Sequence, residues 1–481
     1  MIDPTFAGLL DRPAGFTDRP LLWDDIAETW LSERLIAERA LALAGKLASA
    51  ERRLAFLFAP NSAATLVGFL ALAAAGHAVA LIDPTLPEDK LANLVARYQP
   101  ELLLGAGSLL ALPGDWTWSA PNAETPAWAT RRDAAPSAPL HADLGLLLLT
   151  SGTTGSAKFV RLSPGALAAN ARQIAESLSL TPDSVAIAHL PFHYSYGLSV
   201  VTSHLVAGGR IAFVADAVTA ESFWAKVRAS GGTHFPGVPF HYNVLARLGF
   251  EVVPPAVDSF TQAGGPIDAR IQAAVLEKLA ARGSRLFVMY GQTEAAPRIA
   301  CLPSERLPKK TGSVGLAMPG GRIEIVGPDG RALPPGETGH VVYAGPNVML
   351  GYAESRADLA QGDVMRGRLE TGDLGRMDGE GFLYLSGRVA RFAKIAGLRL
   401  SLDDIEAQLV HLGPVACVDL GDRIAIAFEG EVPPDAKAGA RALALASKIP
   451  PTSFVLRGIP ELPRKTSGKV DYALVKAALD V

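Results

Sequence analysis

Along the first half of the chain, short unbroken apolar runs alternate with longer stretches whose apolar residues recur at helical spacing. Leu54-Ala55-Phe56-Leu57-Phe58, Ala78-Val79-Ala80-Leu81-Ile82 and residues 101–104 each follow a helix-like segment. That order is the signature of βαβ units around a parallel sheet. Residues 144–149 form another apolar run, which passes directly into a loop rich in Ser, Thr and Gly. A helix is expected over 165–178 and a strand over 185–190, and similar units continue to about Tyr290. Residues 62–82 are almost wholly apolar and long enough to span a bilayer. However, Gly76-His77 divides them and Asp83-Pro84 ends them with a turn signal. The pattern therefore predicts a buried helix followed by a buried strand, not a membrane span.

The texture changes from Gly320. Arg322-Ile323-Glu324-Ile325-Val326 and Gly339-His340-Val341-Val342-Tyr343 alternate with turn signals such as Pro328-Asp329-Gly330, which predicts antiparallel sheet, a small β-barrel-like subdomain. From about Val389 a separate α+β pattern begins. Ser401 is placed to cap a helix containing Ile405, Leu409 and Val410, and strands are expected near 415–420 and 424–428. The expected fold class is α/β: a large N-terminal domain of layered parallel-sheet subdomains plus the barrel-like piece, over 1–387. A small mobile α+β domain is expected over 388–481.

Composition narrows the chemistry. The chain has 481 residues, 49% apolar and 19% charged, which suits a well-buried globular protein of two or three subregions. A net charge of −3 argues against nucleic acid as a partner. Cys301 and Cys417 stand alone, so neither a disulfide framework nor a zinc site is expected, and a reducing cytoplasm fits. Met1-Ile2-Asp3-Pro4 does not open a secretory signal.

The most informative string is Thr150-Ser151-Gly152-Thr153-Thr154-Gly155-Ser156-Ala157-Lys158. Two glycines let the backbone turn tightly and present N–H groups to an anion, while hydroxyls and a Lys add donors and charge. Its place after a buried strand is where a nucleotide phosphate loop belongs. It is not a Walker-type loop, because Ala157 precedes Lys158 and Phe159 follows it.

Together with this loop, further strings resemble the acyl-adenylate-forming superfamily, which includes acyl-CoA synthetases, non-ribosomal adenylation domains and beetle luciferases. They are Leu190-Pro191-Phe192-His193-Tyr194-Ser195-Tyr196-Gly197, Gly264-Gly265-Pro266, Tyr290-Gly291-Gln292-Thr293-Glu294, Gly336-Glu337-Thr338-Gly339, Thr371-Gly372-Asp373, Gly387-Arg388 and Pro463-Arg464-Lys465-Thr466-Ser467-Gly468-Lys469. Any one is compatible with chance; seven in the family's order are not.

The resemblance implies ATP-dependent activation of a carboxylic acid of fatty or aryl type, as acyl-AMP. The acyl group then passes to the pantetheine thiol of CoA or of acyl carrier protein. It assigns ATP to Thr150, Ser151, Gly152, Thr153, Thr154 and Lys158, with Gly264, Gly265, Pro266, Tyr290, Gly291 and Gln292 around the nucleotide. Thr293 is implied at the α-phosphate, Glu294 as the oxygen ligand of Mg²⁺, and Asp373 and Arg388 as further nucleotide contacts. Lys469 is implied to reach the carboxylate and α-phosphate, a role the reaction's charge also asks for. His193 is implied at the entrance for acid and thiol, and Tyr194, Phe235, Val238 and Gln262 in the acid pocket. Arg298 reads first as a surface residue, or else as a reader of a second anionic group on the acid.

The family pattern is broken at two places. Relatives commonly carry Asp or Lys at the hinge where Ala390 stands, and the stretch from Arg391 to Gly397 resembles synthetases that load acyl carrier protein. Amino-acid-activating relatives place an Asp in the motif matching residues 192–197; none is present, which disfavours an α-amino acid. Two other readings are an enzyme that passes its adenylate to a non-thiol acceptor and a catalytically silent nucleotide-binding relative.

Overall fold

The computed structural model describes residues 15–105, 114–119, 126–132, 136–149, 158–265, 267, 269–388, 392–395, 398–463, 470 and 472–479. The described residues fall into two compact units. One takes 15–149, Lys158–Thr371 and Gly375–Leu385; the other takes Gly372–Leu374 and the described residues from Ser386 onward.

In the large unit the apolar runs become the inner strands of an eight-stranded sheet. Leu54–Phe58, Ala78–Ile82, Leu102–Leu104 and Leu146–Leu149 pair in parallel. The membrane-length run resolves as the pattern predicts: a helix at Ala63–Ala74, then a strand at Ala78–Ile82 whose five residues are all buried. The Ser62 side chain accepts from the Thr65 N–H and so caps that helix, a contact that stabilises by about 1 kcal/mol. Gly76, at φ +74°, makes the turn between the two. No helix among the described residues is long and apolar enough to cross a membrane.

After Leu146–Leu149 the chain returns antiparallel as Phe159–Leu162, and Gly351–Ala353 pairs antiparallel beyond it. Arg161 fixes this edge from the buried side. It donates to the carbonyls of Tyr352 (3.1 Å), Leu350 (3.3 Å) and Gln361.

A nine-stranded sheet carries the second layer. Val185–Ala188, Arg210–Phe213, His234–Gly237, Ser259–Gln262 and Arg285–Gly291 run parallel, with Val185–Ala188 between Arg210–Phe213 and His234–Gly237. Arg298–Leu302 then folds back antiparallel on Arg285–Gly291. The helix Pro164–Ser177 begins with Ser163 accepting from Ala166 N–H and Pro at the first turn, where a missing N–H costs nothing. From Gly320, as expected, the structure changes to a separate four-stranded sheet whose first two strands, Arg322–Val326 and Gly339–Ala344, pair antiparallel.

The small unit has its own core. The strands Val415–Asp419, Ile424–Glu429 and Phe454–Ile459 form a mixed sheet. Ile405 and Leu409 from the helix Leu402–Leu409 pack with Ile426, Phe428 and Leu443.

Candidate active site

The motif Tyr290–Glu294 sits where the strand Arg285–Gly291 ends and turns back into Arg298–Leu302. Gly291 is required there, because a Cβ on it would overlap the Pro297 carbonyl oxygen. Gln292 Nε2 reaches the Thr371 carbonyl at 3.3 Å. The Thr293 hydroxyl donates to Ser195 Oγ at 3.2 Å, which ties the motif to the first residue of the helix Ser195–Val206. The Glu294 carbonyl accepts from Met349 N–H at 2.9 Å, and its carboxylate accepts from the Tyr352 hydroxyl at 2.7 Å. Lys158 completes the group: its Nζ lies 3.6 Å from the centroid of the Tyr352 ring. Three hydroxyls, one carboxylate and one ammonium are thus gathered from four separated segments. Sequence spacing gives no signal for Tyr352, whose place follows from the antiparallel pairing of Val160 with Tyr352.

The segment before the helix Ser195–Val206 is held just as firmly. Asn61 donates to the carbonyls of Ala188 (3.0 Å) and Leu190 (2.9 Å) and accepts from Phe192 N–H (2.8 Å). Gly197 lets the helix approach this loop, since a Cβ there would overlap the Pro191 carbonyl oxygen. His193 stands on the loop with Nε2 3.8 Å from an Asp83 carboxylate oxygen. Burial lowers its pKa below the ordinary value and the Asp83 charge opposes that shift.

Three residues assigned to the pocket and nucleotide come together. Gly264 is at φ +82°, and a Cβ on it would lie 3.2 Å from both Tyr194 Oη and Val238 Cγ1. Gln262 Nε2 donates to the Gly265 carbonyl at 2.6 Å. Asp373 is buried on the strand Arg368–Met377, and Arg388 ends the strand Leu383–Arg388. Thr150, Ser151, Gly152, Thr153, Thr154, Pro266, Ala390 and Lys469 lie outside the described residues.

Phe235 is expected on the wall of the acid pocket. It is fully buried in an aromatic cluster, with ring centroids 5.7 Å from Trp224 and 5.8 Å from Phe260. Side chains on a strand alternate between faces. On His234–Gly237, it is His234 and Pro236 that border a cavity beside the helix Ser195–Val206, and Phe235 turns the other way.

Arg298 corrects the expectation of a surface residue, since it is only 3% exposed. Its backbone is pinned by Asn170 and Asn347, and its guanidinium carbon lies 4.1 Å from the Tyr196 ring centroid. Burial lowers its pKa, and the neighbouring Tyr196, Tyr194 and Cys301 oppose that shift. Its Nε has no hydrogen-bond partner.

Residues 10–353 match the family described as AMP-binding enzyme. The chain belongs to that family. A sulfoacetate–CoA ligase of Cupriavidus necator is 30% identical over 368 residues, 73% of this chain and 71% of that protein. A 2-succinylbenzoate–CoA ligase of Bacillus cereus is 33% identical over 243 residues, 50% of this chain and 49% of its own length. The chain thus spans about half the length of that curated AMP-binding relative. The solved o-succinylbenzoate CoA synthetase of Bacillus subtilis superposes with a TM-score of 0.76 at 21% identity, covering 99% of this chain and 98% of that one. That likeness shows the fold: the chain is built as that CoA synthetase is, and with the matched family the resemblance read from its motifs stands.

Proposed function

We propose that the chain activates a carboxylic acid with ATP, forming acyl-AMP and pyrophosphate, and then transfers the acyl group to the pantetheine thiol of CoA or of acyl carrier protein. The observation that carries this reading is the gathering of Ser195, Thr293, Glu294, Tyr352 and Lys158 from four separated segments. Attack of a carboxylate on a phosphate brings negative charges together, so the protein's task is positioning and charge neutralisation. Lys158 supplies one cation, and Lys469 of the C-terminal segment is assigned the second, at the reacting carboxylate. The hydroxyl of Thr293 is the donor for the α-phosphate. No covalent bond to the protein is needed at any step.

Mg²⁺ fits this donor set. Among the described residues no three His, Cys, Asp or Glu side chains form a metal cage. Magnesium at phosphate sites is held by one or two carboxylates, with water and phosphate oxygens completing the shell. Glu294, fixed by Tyr352, is the carboxylate for that role, and the bound ion supplies charge neutralisation to the phosphates. The names of the relatives add support, since each relative is a ligase joining an acid to CoA. The division of labour between a domain over 1–387 and one over 388–481 is part of the same proposal.

The purified protein with ATP, Mg²⁺ and a panel of carboxylic acids is expected to release AMP and form a thioester when CoA or a holo acyl carrier protein is added. Acid-dependent pyrophosphate exchange without thioester from either thiol would point to a different acceptor. Absence of exchange with every acid would refute the reading.

A further inference from the structure

The cavity beside the helix Ser195–Val206 lies along one face of that helix, bordered by Tyr196, Ser199, Val200, Ser203 and His204. These positions recur at three- and four-residue intervals, the spacing of a single helical stripe. The stripe starts next to Ser195, which bonds Thr293, and its eight-residue length corresponds to roughly 12 Å of helix. The cavity therefore leads away from the reaction end of the proposed site. Its body is apolar, with Ile174, Leu178, Val200 and Met289 on its walls.

Three buried polar side chains border the same cavity, each with an unpartnered atom: Arg298 Nε, His204 Nε2 and His234 Nε2. They are 3%, 2% and 7% exposed. Other buried arginines of this protein are saturated. Arg356 makes a two-pronged pair with Glu101 at 2.8 and 2.9 Å, and Arg161 is surrounded by carbonyl oxygens. Arg298 meets the Tyr196 side chain but leaves Nε unpartnered, and among the described residues no ion pair to it is formed, an unfavourable state for a buried cation. An anion arriving from outside would satisfy it. At the far end, His204 Nδ1 lies 2.8 Å from the Val200 carbonyl oxygen, so Nδ1 carries the proton and neutral Nε2 presents a bare acceptor. The His204 and His234 rings meet edge to face, 5.2 Å apart.

We propose that the acid substrate carries a second anionic group, a carboxylate or a sulfonate, on a short apolar body, and that Arg298 binds that second group inside this cavity. The proposal rests on the adenylating reading above and narrows it. A long hydrocarbon tail is the wrong occupant, because it would leave Arg298 Nε without an acceptor. A short aryl or aliphatic diacid would send its second anionic group along this face to pair with the cation. Arg298 is then the specificity-determining residue, while the groups near Thr293 act on every acid alike.

The test compares acids that differ only in the second carboxylate, succinate against butanoate and phthalate against benzoate, in ATP–pyrophosphate exchange. The unmodified protein is expected to prefer at least one diacid over its monoacid partner. Arg298→Met is expected to cut that diacid's kcat/KM by roughly 10²-fold or more and to spare or improve the monoacid. Arg298→Lys keeps the charge without the planar fork and is expected to fall between the two. Melting of the ligand-free Arg298→Met protein supplies a second readout: its midpoint is expected at or above that of the parent, because an uncompensated cation has been removed. A preference of the unmodified protein for both monoacids would overturn the proposal. So would an equal loss on all acids in Arg298→Met, which would place Arg298 at the reacting carboxylate and leave the adenylating reading intact. Absence of exchange with all four acids and with the wider panel would instead defeat the adenylating reading itself.

Discussion

At the Thr293 end of the helix Ser195–Val206, the polar side chains have partners within the protein: Thr293 bonds Ser195, Glu294 accepts from Tyr352, and Lys158 rests on the Tyr352 ring. Along the same helix toward His204, three nitrogens of the cavity-lining side chains, Arg298 Nε, His204 Nε2 and His234 Nε2, have no partner. The first region is preorganised, with its donors fixed before anything binds, as suits chemistry common to all substrates. The second holds polar groups that only a ligand can complete, as suits recognition of one class of substrate. Predictions that separate general from selective losses therefore test this contrast.

The largest effect is expected from Lys469→Ala, which should lower adenylation by ~10²–10³ for every acid, the scale of losing one strong transition-state donor. Steady-state pyrophosphate exchange across the acid panel checks it. A loss confined to diacids would move Lys469 to the recognition side and break the comparison. Tyr352→Phe is expected to cost about tenfold on every acid, because Glu294 loses a hydrogen bond to its charged form. Its signature is a raised Mg²⁺ requirement, read from exchange rates over a magnesium titration; an unchanged requirement would detach Tyr352 from Glu294's proposed task.

Phe235→Leu should act on stability alone, by about 0.5–3 kcal/mol, since its ring belongs to the aromatic cluster and not to the cavity. Denaturant unfolding measures the cost, and a shifted acid preference would return Phe235 to the pocket wall.

The smallest effect concerns pH. Burial holds His204 at about 4, and burial followed by the neighbouring His204 holds His234 at about 3, against an ordinary 6.5. These groups stay neutral in the folded chain while the unfolded chain takes up protons. Stability from them is thus full above pH 6.5 and is lost as pH falls from 6.5 toward about 4. The midpoint of thermal melting should drop through that window, and His204→Gln should flatten the drop. A melting curve insensitive to pH there would contradict the buried, neutral assignment.

The reaction end was largely legible in the sequence, because its residues occur in strings whose order survives: Tyr290–Glu294 is placed at a strand end by the apolar run before it. The exclusion of a membrane span was legible too, from Gly76-His77 and Asp83-Pro84. The recognition end was less so. The family resemblance put Phe235 in the pocket, and Arg298 read first as a surface cation, with a second anionic group on the acid as the alternative. Strand parity instead sends Phe235 into the core, and the antiparallel return of Arg298–Leu302 carries Arg298 inside. Tyr352 was hidden for a similar reason, since it meets Lys158 and Glu294 only through sheet pairing across nearly two hundred residues.

The most direct test of the central claim follows an oxygen atom. An accepted acid, labelled with heavy oxygen in its carboxylate, is converted to thioester with ATP and the products are weighed by mass spectrometry. The account predicts that one labelled oxygen appears in AMP and none in pyrophosphate, because the carboxylate attacks the α-phosphate and the thiol later displaces AMP at the acyl carbon. Label in inorganic phosphate, with ADP as the nucleotide product, would mean attack at the terminal phosphate and would contradict it.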